Sequence, residues 1–398
     1  MFNMISQEML ALGTKRSVIR EIFEYGCKRK AEIGAEKVFD FSLGNPSVPA
    51  PEIVKEELTR LITETPAAAL HAYTTAAGDF SVRTAIADYL NTTYQAQAKA
   101  ELMYLTVGAA ASLTISLTAL LCDGDEVVVL APFFPEYNVF IRQAGGTPVV
   151  VTCPAPHFQP DPEMVKKAIT PKTKAIIINS PNNPSGVVFS EEAITAMCNV
   201  LEEKQKEYGH PIYVIADEPY RELAYDDATV PYLTKYYDNT LVCYSYSKSL
   251  SLPGERIGYI LVSSSATDAQ NVYAAVCGAG RSLGFVCAPA LFQKMVPACL
   301  GKTADVEIYK QNRDTLYNFL TQKGFTLSKP QGAFYLFMKS PDADTNAFCE
   351  KAKEYELLLV PGEDFGIADY VRISYCVSPE MIEHSLPAFQ KLAEAYGL

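Results

Sequence analysis

Six short apolar runs recur through the middle of the chain. They are EVVVLAP (126–132), TPVVVTC (147–153), KAIIINSP (174–181), PIYVIADEP (211–219), TLVCYSYSK (240–248) and RIGYILVS (256–263). Each is almost continuously apolar rather than alternating, the pattern of strands buried on both faces. Helix-length segments lie between them. Residues 190–208, for example, open on SEEA, a capping serine followed by an acidic first turn. Such alternation predicts an α/β fold with a mostly parallel sheet covered by helices.

Beyond about Phe285 the pattern changes. Helical stretches are expected over 288–299 and 305–322, then short strands over 333–338, 357–362 and 370–376, and a last helix over 378–396. This order predicts a smaller α+β domain at the C-terminus. The first 23 residues read as an amphipathic helix with charges throughout and no apolar core of a signal peptide.

Composition narrows the classes. A chain of 398 residues suggests about two domains. A net charge of −12 disfavours non-specific binding to nucleic acid or membranes, and no run of about 18 apolar residues predicts a membrane span. The ten cysteines contain no CxxC pair, and those in apolar runs (Cys122, Cys243, Cys287) are expected as buried free thiols. The four histidines are too scattered for a metal pair. A reduced, cytoplasmic setting is the default expectation.

Open α/β sheets bind ligands beyond the carboxyl ends of their strands. Asn179 to Gly186 (NSPNNPSG) follows one predicted strand, Asp217-Glu218-Pro219-Tyr220 the next, and Lys248 a third. A carboxylate, an amide, a phenol and a lysine are therefore expected on one rim. Gly108, followed by an Ala-rich helix pattern, adds a helix start whose free N–H groups suit a phosphate, with small side chains at Ala109 and Ala110. A lysine beside an anion site and a carboxylate suggests a Schiff base to pyridoxal 5'-phosphate, with the carboxylate keeping the pyridine nitrogen protonated. Arg256 suits the phosphate oxygens.

These residues resemble the class I/II aminotransferases of the fold type I pyridoxal-phosphate enzymes. NNPSG is similar to the family's N-P-[ST]-G, DEPY to its D-x-x-Y, and SYSKSLSLPGERIG to its S-x-S-K-x-x-x-x-P-G-x-R-x-G. The three occur in family order. The resemblance implies a large domain with a sheet of the seven-stranded type, over 49–287, a small domain over 288–398, and an N-terminal segment over 1–48 packing with the small domain. It implies that Lys248 carries the cofactor and moves the proton, Asp217 pairs with the pyridine nitrogen, and Asn183 and Tyr220 hold the ring oxygen. Ser245, Arg256, Gly108, Ala109 and Ala110 would hold the phosphate, and Phe134 would stack on the ring. Tyr73 would reach a phosphate across a homodimer interface, so that the active sites are shared. Arg372 would clamp the substrate α-carboxylate beside Gly44 and Asn183. The substrates implied are an amino acid and a 2-oxo acid. The alanines of the phosphate loop, where many members carry Ser or Thr, and Phe134, where some aspartate-specific members carry Trp, depart from the pattern.

Each residue also has a plainer reading. Asp217 alone is a turn or cap residue, Asn183 to Gly186 is turn chemistry, Lys248 a solvated strand end, Arg372 a strand-face ion pair and Phe134 core. Only their joint, ordered occurrence favours the site. Ser245 to Lys248 also fits S-x-x-K, but no K-T-G supports it. Gly301-Lys302-Thr303 lacks the first glycine of a phosphate loop. Gly278 to Gly284 is a loose dinucleotide-type pattern, which keeps a nicotinamide dehydrogenase as an enzyme alternative. β-Lyases and decarboxylases of the same fold stay open too. Arg281 could meet an acidic substrate side chain, making an aspartate-like donor one option, or simply form a salt bridge.

Overall fold

Branched apolar residues crowd the central strands, and the computed structural model pairs them into one seven-stranded sheet. It describes residues 5–14 and 18–398. The strands are β1 (Met103–Thr106), β2 (Glu126–Ala131), β3 (Thr147–Thr152), β4 (Thr173–Asn179), β5 (Tyr213–Asp217), β6 (Thr240–Ser245) and β7 (Gly258–Val262). Their order across the sheet is β1-β7-β6-β5-β4-β2-β3. The pairs from β6 to β3 are parallel, and β7 runs antiparallel to both β6 and β1. The α/β expectation with a mostly parallel seven-stranded sheet is met.

Two details differ from the sequence reading. β1 was not anticipated, because its four residues sit against the helix pattern that follows Gly108. β3 is apolar but lies at the sheet edge, so it is only partly covered, and Val150 is half exposed.

The described residues form two compact units. The larger comprises 46–308 and 330–333, and the smaller comprises 5–14, 18–45, 309–329 and 334–398. The larger unit therefore runs past the expected boundary at 288 to Ile308. It contains the sheet and helices including Ala109–Leu120 and Glu191–Tyr208. Ser190 caps the latter, accepting from the Ala193 N–H, and Gly209 ends it in the left-handed region.

The smaller unit has a three-stranded antiparallel sheet of β8 (Tyr335–Lys339), β9 (Val360–Pro361) and β10 (Tyr370–Ser374), ordered β9-β10-β8. Helices Val306–Gln322 and Pro379–Ala395 lie at or within its bounds. The single strand expected over 357–362 is two short pieces, Leu357–Leu358 and Val360–Pro361, the first pairing with Phe39–Asp40. The N-terminal helix expectation over 1–23 touches residues 1–4 and 15–17, which lie outside the described residues. The described parts form Gln7–Thr14 and Val18–Ile33.

Of the three cysteines expected to be buried, only Cys243 is; Cys122 is exposed and Cys287 partly so. The glycine pattern 278–284 falls in and just after helix Ala269–Ser282, where Gly280 packs on the Tyr104 hydroxyl. It makes no strand-to-helix turn, which removes the basis for a dinucleotide loop. Among the described residues, no helix is long and apolar enough to cross a membrane.

Candidate active site

The register of the parallel strands puts the chemistry on one rim. Asn179, the last residue of β4, pairs with Asp217, the last of β5, and Asp217 pairs with Cys243 of β6. Two strand ends thus finish level, and each continues into a polar turn.

Asn179 ties those turns together. Its Nδ2 donates to the Asp217 carbonyl at 2.9 Å, and its Oδ1 accepts from the Asn183 N–H at 2.7 Å. Asn182 holds the next step, its Oδ1 accepting from the N–H and the hydroxyl of Ser185. Asn183 and Tyr220 are both buried. The turn chemistry of NNPSG therefore places a buried amide beside the strand that bears Asp217.

Asp217 is the electrostatic centre. Tyr137 donates its phenolic hydrogen to Oδ2 at 2.5 Å, while the buried Oδ1 has no hydrogen-bond partner. Burial pushes the Asp217 carboxyl up to about 7; the Tyr137 bond opposes the shift and nearby Glu218 adds to it. The same burial, with Asp217 alongside, holds the Tyr137 phenol well above its ordinary value. A closed site that leaves one carboxylate oxygen open is shaped for a cationic or N–H partner.

The lysine stands on a single helical turn. Ser245 ends β6 and caps helix Tyr246–Ser249, its Oγ accepting from the Ser247 N–H at 3.2 Å. Lys248, half-buried, lies in that turn. The chain reverses through Pro253 and Gly254, and Arg256, with φ of 53°, anchors its Nη1 on the Pro253 carbonyl at 2.8 Å. Arg256 then lies against Gly108: a Cβ on Gly108 would stand 2.8 Å from Arg256 Nη2. Gly108 precedes helix Ala109–Leu120, whose start has no side-chain cap, so its first-turn N–H groups and the nearby Arg256 guanidinium make an arrangement suited to an anion.

The model for the family Aminotransferase class I and II matches residues 36–389. The chain belongs to the class I and II aminotransferases. It is 31% identical to the probable aspartate/prephenate aminotransferase of Thermus aquaticus, over 87% of this chain and 89% of that one. It is also 31% identical to the aspartate aminotransferase of Thermotoga maritima, over 92% and 95%. Among solved structures, an amino transferase from Eubacterium rectale superposes with a TM-score of 0.97 at 55% identity, covering 99% of this chain and 100% of that one. The Thermus thermophilus aspartate aminotransferase with maleate gives 0.86 at 28% identity, covering 98% and 100%.

In this aminotransferase the remaining expected residues sit as follows. Phe134 is half-buried, with its ring 5.7 Å from and edge-on to that of Tyr137. Ala109 is half-buried and Ala110 exposed at the helix start, and Tyr73 is 95% exposed in a loop. Gly44 and Arg372 belong to the smaller unit. There Arg372 is 2% exposed on β10, donates from Nη2 to the Ser42 carbonyl at 2.6 Å, and lies 4.9 Å over the rings of Tyr335 and Phe365. A side chain on Gly44 would overlap the Tyr335 hydroxyl. Arg281 is exposed in the last turn of its helix.

Two contributors escaped the sequence reading. Tyr137 was given no role; it stands in the first turn of helix Glu136–Gln143, three residues past Phe134. Asn179 was quoted with its turn but given no role; its place as the last residue of β4, in register with Asp217, is the signal that picks it out.

Proposed function

We propose that this aminotransferase works with pyridoxal 5'-phosphate held by the larger unit, on an amino acid and a 2-oxo acid. The observation that carries the reading is the open, buried Oδ1 of Asp217 beside an Oδ2 already taken by Tyr137. A protonated pyridine nitrogen is the partner such an oxygen lacks. The Gly108–Arg256 cradle suits the dianionic phosphate at the other end.

In this reading Asp217 holds the ring nitrogen, and Asn183 and Tyr220 hold the ring oxygen. Phe134 covers the ring. Ser245, Arg256, Gly108 and the N–H groups of Ala109 and Ala110 hold the phosphate. When bound, the cofactor supplies an electron sink for the substrate Cα–H bond. Lys248 would be the point of attachment and the base that takes the proton from the substrate Cα. Arg372, with Gly44, takes the substrate α-carboxylate, a planar group matched to a guanidinium already oriented by the Ser42 carbonyl.

The protein acts as a cytoplasmic homodimer, with Tyr73 reaching the partner's cofactor phosphate. Tyr73 is 95% exposed within one chain and so accessible to a partner. The names of the relatives support an aspartate-like donor, which the exposed Arg281 could meet. The test is borohydride reduction of the loaded protein followed by peptide mass spectrometry. The added mass is expected on Lys248, and Lys248→Ala should abolish amino transfer. Reduction that labels another lysine, or none, would overturn the reading. A screen of donors against 2-oxo acids decides the side chain.

A further inference from the structure

Beneath the turn that carries Lys248 lies a second buried carboxyl with no role so far. Glu222 follows Tyr220 by two residues. As a residue it is only half-buried, but its Oε2 is sealed from solvent and has no hydrogen-bond partner. It lines a cavity of about 20 Å³ with Tyr246, Ser249 and Lys302. That is room for about one water, which needs a polar wall to stay.

The Tyr244 side chain lines the same cavity as the Glu222 carboxyl, and its hydroxyl favours the charged form of Glu222. The same hydroxyl is 2.9 Å from Ser249 Oγ. Ser249 is the last residue of the turn Tyr246–Ser249, next to Lys248. The series Glu222, Tyr244, Ser249 therefore ends on the element that presents the lysine.

We propose that Glu222 is a positioning residue for Lys248, acting through the hydroxyls of Tyr244 and Ser249 and taking one water on its open oxygen. When Glu222 is ionised it can only accept, so Tyr244 donates to it and Ser249 donates to Tyr244. When Glu222 is protonated it can donate, Tyr244 is freed to donate to Ser249, and the series runs the other way. The turn under Lys248 thus has two hydrogen-bonding states separated by one proton.

The surroundings set where that proton is held. From its own turn, Glu222 meets Arg221, which is already engaged in a fully buried ion pair with Glu218. Helix Phe80–Tyr94 contributes Tyr89 and Tyr94. From the sheet side come Tyr244, Tyr246 and Tyr259, while Tyr232 stacks on Tyr94 with centroids 5.0 Å apart. Cys299 and the exposed Lys302 close the rim. Burial dominates and pushes Glu222 up to about 7, with Arg221 and Tyr244 opposing. A change of state near neutral pH follows.

The inference rests on Lys248 being the catalytic lysine, and its test separates the two. In protein freed of cofactor, the rate at which acetic anhydride labels Lys248 is followed against pH by peptide mass spectrometry. The native protein should show an inflection near neutral pH in addition to the lysine's own titration. Glu222→Gln removes it, and Tyr244→Phe, which keeps the ring, removes it too. The labelling rate at neutral pH should shift by about fivefold in each. In the loaded enzyme both variants lower kcat with KM for the donor little changed. Equal pH profiles in folded native, Gln and Phe proteins would overturn the proposal. Should Glu222→Gln fail to fold, Tyr244→Phe still decides it. If borohydride reduction marks a different lysine, the cofactor reading falls while the labelling profile still reports whether Glu222 controls Lys248.

Discussion

Tyr137 donates to Oδ2 of Asp217 at 2.5 Å, and Oδ1 of the same buried carboxylate has no partner. The phenol thus stabilises the ionised form that burial opposes. Tyr137→Phe keeps the ring and removes the donor. The Asp217 carboxyl should then rise further, so the acid limb of the pH–rate profile moves to higher pH. A lost hydrogen bond to a charged group is worth about 1.5–3 kcal/mol, so kcat should fall roughly tenfold or more. An unmoved acid limb would show that Tyr137 does not support Asp217.

Asn179 links two turns through one side chain, and Asn179→Ala would leave the Asn183 N–H buried without its acceptor. The cost should be about 1–3 kcal/mol of stability. It should be accompanied by faster loss of cofactor on dilution, because Asn183 would no longer be fixed. Thermal melting and the absorbance of retained cofactor check both parts. Asn179→Asp, which keeps the acceptor but loses the donor to the Asp217 carbonyl, should fall between the native protein and the Ala variant.

Asp217 and Glu222 are both pushed up to about 7 by burial. In the unfolded chain they ionise near pH ~4. Between those values the unfolded chain has released protons that the folded chain retains. Stability of the cofactor-free protein therefore falls as pH rises through this window and levels off above about 7. Each carboxyl accounts for up to roughly 4 kcal/mol. Melting temperature measured from pH 5 to 8 should show the decline, and Asp217→Asn should remove its share. Loading the cofactor should remove the same share, by giving Oδ1 a cationic partner. A melting temperature that rises from pH 5 to 7 would contradict both assignments.

The apolar runs revealed the large sheet because strands buried on both faces carry their environment in their own composition. Five of the six runs lie inside the sheet. TPVVVTC reads the same but forms the edge, since composition does not say which neighbour is missing. Asp217, Asn183 and Lys248 stood out as candidates because each lies at or just past the end of a predicted strand, and Arg256 because it opens the next one, all in an ordered motif. Tyr137 and Glu222 were not. Their importance lies in a partner 80 residues away for Tyr137 and in a cavity for Glu222, and neither leaves a local pattern. Gly108 was legible as a helix start but not as a neighbour of Arg256, which only the three-dimensional turn after Pro253 brings about.

That neighbour relation gives the last prediction. Gly108 has φ of 92°, a region L side chains seldom enter, and an added Cβ would stand 2.8 Å from Arg256 Nη2. Gly108→Ala therefore carries two costs, backbone strain of about 1–3 kcal/mol and displacement of Arg256. The first lowers the melting temperature of the cofactor-free protein. The second acts on the phosphate cradle and should weaken retention of pyridoxal phosphate by about tenfold or more, against phosphate analogues as competitors. The two costs separate in a double-mutant cycle with Arg256→Ala. With the guanidinium gone the steric part disappears, so the stability losses should add to less than their sum. Retention of the cofactor should not recover, because the proposed function makes Arg256 the group that binds its phosphate. Strictly additive stability losses would place Arg256 away from Gly108 in solution. Recovered retention in the double variant would mean that the guanidinium obstructs the cradle rather than forming it.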